Sequence, residues 1–120
     1  MKKTIVVTAS VAGLLAGCGG SGADVARECS AMHRLIGDVS AKGMQQIGAP
    51  DQLAATYDGA AKAIREHGAR SGDDAVAKAA EDVGAAWSAL AAHVRSGSAR
   101  VPSLGPVTEA GAALRRACEP

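Results

Sequence analysis

The chain has 120 residues, with 13 basic and 12 acidic side chains and a formal charge of +1, a balance that gives no electrostatic footprint for nucleic acid. One Trp, one Tyr and no Phe leave little large apolar bulk for a core. Three cysteines are the remaining compositional signal, and their use depends on the redox compartment.

At the N-terminus, Lys2 and Lys3 precede an apolar run from Ile5 to Leu15, followed by small residues. This is the three-part layout of a secretory signal. Eleven residues as a helix reach only about 16 Å, about half a bilayer core, so the run is not a transmembrane span. No later stretch is long and apolar enough, because charges interrupt each one.

Leu15-Ala16-Gly17-Cys18 closes the run, and this tetrad resembles the lipobox of bacterial lipoprotein signal peptides. The resemblance implies that residues 1–17 are removed and that Cys18 becomes the first residue, bearing a diacylglyceryl thioether with acyl chains of the palmitate type. A single acyl chain holds a protein only marginally on a bilayer, and two anchor it stably. The implied address is therefore the cell membrane, lipid-anchored on the extracytoplasmic face. Gly19 stands where the inner-membrane retention type carries Asp. Residues 18–23 read as the lipidated cysteine and a flexible Gly/Ser tether, leaving 24–120 as one small domain. Loss of Lys2 and Lys3 leaves 11 basic residues against 12 acidic ones, a charge of −1 with no polybasic patch for anionic lipid. The alanine-rich composition, with Arg over Lys, is similar to that of small actinobacterial lipoproteins.

In the domain, apolar residues recur at alternating spacings of four and three, the pattern of packed helices. The first set is Val25, Cys29, Met32, Ile36, Val39, Gly43 and Ile47. The second is Leu53, Tyr57, Ala60, Ile64 and His67. The third is Val76, Ala80, Val83, Trp87, Leu90 and Val94, and the fourth is Val107, Gly111, Leu114 and Cys118. Ser21 with Asp24, and Ser71 with Asp74, resemble capping boxes. Gly48-Ala49-Pro50 stops one helix and opens the next, Gly68 to Gly72 breaks the second, and Pro106 opens the last. The expected helices cover 23–47, 50–68, 73–96 and 105–118. Gly43, Gly59, Gly84 and Gly111 fall inside them at about 1 kcal/mol each relative to Ala, through close packing or through weak helices.

With Cys18 given to lipid, Cys29 and Cys118 remain as a pair in an oxidising compartment. Their bond would close a loop of about 90 residues and stabilise the fold by about 4–5 kcal/mol on the chain-entropy model. Cys29 lies early in the first helix and Cys118 in the last turn of the fourth. Four helices joined by short turns run up, down, up, down and bring these positions to one end; three would not. The expectation is an all-α domain, a small antiparallel four-helix bundle closed by a disulfide, with that end beside the tether.

Candidates for chemistry are sparse. His33, His67 and His93 lie on three different helices, and Met32 and Met44 are soft donors. No two histidines stand at i,i+4, so they are weak metal candidates. Trp87 reads as the anchor of the core, because aromatics dominate burial and little else fills the centre. Asp73-Asp74 and Glu81-Asp82 are adjacent pairs whose side chains diverge on a helix, and there is no nucleophile elbow, phosphate loop or paired Cys-His arrangement. The expected function is a non-enzymatic interaction or structural module of the envelope, needing no cofactor, held to the membrane through Cys18 and contacting an envelope protein. The competing reading is a metal or small-ligand binding protein that uses the bundle core.

Overall fold

A computed structural model describes residues 22–98, 100 and 102–120; Cys18 and Ser21, expected as lipid site and cap, lie outside them. Four helices follow in order: α1 (Gly22–Gln45), α2 (Pro50–Arg70), α3 (Asp74–Arg95) and α4 (Gly105–Cys118), with no strand among the described residues. They form the expected antiparallel up-down-up-down bundle, in which α3 packs on both α2 and α4 while α1 packs on α2. No described helix is long and apolar enough to cross a membrane.

Local chemistry sets the boundaries. Pro50 occupies the first turn of α2, where its missing N–H costs nothing. Asp73 caps α3 by accepting from the Val76 N–H at 3.0 Å, so the expected Ser71/Asp74 capping box does not form. Ser71 instead closes α2, which runs two residues past its expected end at Gly68. Helices α2 and α3 end alike, in Arg70-Ser71-Gly72 and Arg95-Ser96-Gly97. Each serine hydroxyl donates to the carbonyl three residues back (2.7 Å to Gly68, 2.6 Å to His93), and each glycine takes the left-handed conformation at φ 72° and 70°. Helix α1 stops at Gln45, and Ile47, expected on its inner face, is 75% exposed in the following turn.

The core comprises Cys29, Met32 and Val39 from α1, Ala60, Ala61 and Ile64 from α2, Val76, Ala79, Ala80, Val83, Trp87 and Leu90 from α3, and Leu114 from α4. Ala54 and Gly68 are buried as well, in one row with Ala61 along α2. Gly68 sets the approach of α2 to α3: a Cβ there would stand 2.5 Å from the Ala80 Cβ. Gly84 serves a different contact, giving room for the stem of Arg65, whose guanidinium pairs with Glu81 at 2.8 Å. Gly59 and Gly111 face open space.

The Cys29–Cys118 disulfide joins α1 to α4 across Cα atoms 6.0 Å apart. Contact between these two helices is otherwise slight. They are stapled at one end and part toward the other.

Candidate functional site

Where α1 and α4 part, the bundle opens into a cleft of about 550 Å³ at the end remote from the disulfide. Its walls come from the last turns of α1 (Val39, Ser40, Gly43, Met44, continuing to Ile47), the start of α2 (Leu53, Tyr57) and the second half of α3 (Trp87, Leu90, Val94). The α3–α4 connection and the start of α4 complete it with Pro102, Leu104, Val107 and Thr108. Val39, Trp87 and Leu90 are buried and form the floor. Met44, Ile47 and Leu104 are 78%, 75% and 57% exposed and stand at the lips. These three are the exposed large hydrophobic residues among those described, and all of them border one opening.

Polar ties hold the rim. The His93 ring bonds the Arg100 carbonyl through Nε2 at 2.7 Å, with Nε2–H as donor, fixing the α3–α4 connection to α3. Thr56 Oγ1 donates to Gln46 Oε1 at 2.7 Å and secures the α1–α2 turn. Arg95 pairs with Asp58 at 2.5 Å, between α3 and α2. The described lining itself carries three hydroxyls (Ser40, Tyr57, Thr108) and no carboxylate, amine, guanidinium, imidazole or thiol. Such a surface offers its ligand chiefly apolar area.

A second cluster lies at the stapled end. Glu28, buried beside Cys29, accepts a hydrogen bond from His67 Nδ1–H at 2.6 Å, with Arg70 at 3.7 Å and Arg27 at 3.8 Å from its other oxygen. The His67 bond lowers the Glu28 pKa below its ordinary value; burial opposes this, and the charges of Arg70, His67 and Arg27 reinforce it. The cluster joins α1 to the end of α2, with Glu28 buried beneath the partly exposed Arg27 and Arg70.

The residues singled out from the sequence therefore disperse. Cys29 and Cys118 are bonded, and Trp87, 2% exposed, is both core anchor and cleft floor. His33 lies exposed on α1, His67 is half-buried on Glu28 and His93 holds the connection at the rim. Among the described residues no three His, Cys, Asp or Glu side chains are grouped to hold a metal ion. Glu28 and the cleft were not read from the sequence. Glu28 meets His67 only through the packing of two helices 39 positions apart, and a cleft depends on how far helices diverge. Comparisons with protein-family models, with curated proteins and with solved structures find no match.

Proposed function

We propose that this chain is a lipid-anchored protein of the extracytoplasmic membrane face whose bundle is a non-enzymatic binding module. Its working surface is the cleft between the free ends of α1 and α4. The observation that carries the reading is the gathering of Met44, Ile47 and Leu104 around one apolar opening. A contiguous exposed apolar patch with a polar border marks a binding surface, whereas single exposed hydrophobics do not. The lipobox-like tetrad supports the anchor, and the tether would place the stapled end toward the bilayer and the cleft away from it.

Two measurements test the two halves. Cys18→Ala is expected to move the protein from the membrane fraction to the soluble one; retention on the membrane rejects the anchor. A photocrosslinking side chain at position 104, used in intact cells, is expected to give adducts that the same group at Glu81 does not. Equal labelling from both positions, or none from position 104, rejects the cleft as the working surface.

A further inference from the structure

We infer that the cleft is a lipid-chain site: it takes the hydrocarbon tail of an amphiphile, with the tail against Trp87, Leu90 and Val39 and the head group at the lips. The inference rests on the proposed binding role and names the ligand class.

Polarity within the cleft runs in one direction. The floor of Val39, Trp87 and Leu90 is buried and carries one polar group, the Trp87 indole N–H; the half-buried Tyr57 sets its hydroxyl in the wall beside Gly43, and the exposed hydroxyl residues Ser40 and Thr108 belong to the rim. An amphiphile with its tail inward matches that gradient, and a ligand with charge along its length does not, since no ionised side chain lines the described walls.

Size points the same way. Trp87 to Val94 on α3 spans about 10 Å along the wall. The cleft offers about 550 Å³, well inside the range of small-molecule sites. A chain of methylenes can bend to fill the concavity. Each methylene it buries strengthens binding about fourfold. Met44, unbranched and polarizable, suits a lip that must close over chains of differing shape.

Trp87 is the single tryptophan and lies on the floor, so its fluorescence reports occupancy directly. The full chain carrying Cys18→Ala, purified oxidised and without detergent, would be titrated with a fatty acid brominated along its chain. A parallel arm would use vesicles of phosphatidylcholine brominated in its tails. Saturable loss of Trp87 emission, reversed by the unbrominated fatty acid, is the expected result. Loss in the first arm alone identifies a free fatty acid as sufficient, and loss in the second shows that the tail can be drawn from a bilayer. Gly43→Leu, which places a side chain between Leu53 and Tyr57 on the wall, is expected to weaken binding by about tenfold or more. Gly59→Leu, on a helix position facing open space, should leave it unchanged. Quenching no greater than that by a short water-soluble bromoalcohol in both arms overturns the lipid-chain site, as does equal quenching in the wild type and a folded Gly43→Leu variant. If position 104 still crosslinks while quenching fails, the binding role stands with another occupant; if both fail, both readings fall.

Discussion

Glu28 is the buried acid among the described residues, and it sits immediately before the disulfide-bonded Cys29. Its carboxylate stays ionised because His67 donates to it and Arg70 and Arg27 face it, which outweighs the cost of burial. Its pKa in the folded chain lies below the ordinary value of 4.5. The stabilisation is therefore complete above that unfolded value and is lost as pH falls through the lower folded one. Glu28→Gln keeps the shape but weakens the charge-assisted bond, and should cost about 1 kcal/mol at pH 7. Thermal melts of both proteins from pH 7 down to pH 3 should show the gap closing in the acid range. A gap that stays constant across the series would mean that the charge of Glu28 plays no part.

At the scale of the helix, small residues decide how closely elements approach. Gly68→Ala would drive a methyl into the Ala80 methyl, with no flexible chain to yield, so overpacking should outweigh the gain in helix propensity by about 1–2 kcal/mol. Gly59→Ala and Gly111→Ala meet nothing and should each stabilise by about 0.5–1 kcal/mol. Urea denaturation of the three variants measures both signs, and a stabilised Gly68→Ala protein would contradict the close crossing of α2 on α3. The same contrast explains what could be read from the chain. Val76, Val83, Trp87 and Leu90 declare the inner face of α3 by spacing alone, and Pro50 and Gly97 mark helix ends through their backbone chemistry. Ala54, Ala61 and Gly68 declare nothing, since small residues suit a buried contact and a solvated surface equally, and so this row along α2 was missed. The cleft hid for another reason. Leu53, Tyr57, Val94 and Val107 follow the core pattern, and only the divergence of α1 from α4 turns them from core into wall.

For the molecule as a whole, the unequal contacts between helices give the disulfide its importance. Helix α3 holds α2 and α4, and α1 rests on α2, so the ring of four is closed between α1 and α4 chiefly by Cys29–Cys118. The bond spans 89 positions, and on the chain-entropy model its loss removes about 4–5 kcal/mol, a large part of what a domain this small possesses. Intact mass of the oxidised protein should rise by two hydrogens on reduction, and two free thiols before reduction would refute the pairing. The consequences of reduction should be uneven. Helices α2 and α3 keep their close crossing at Gly68, whereas α4 has only Leu114 fully buried and α1 loses its tie to it. Amide hydrogen exchange with and without reductant should therefore show α4 and the first turns of α1 losing protection first, with α2 and α3 retaining most of theirs. A uniform loss across all four helices would instead mean that the bundle opens as one cooperative unit, with the staple contributing to its total stability but not selecting which end can separate.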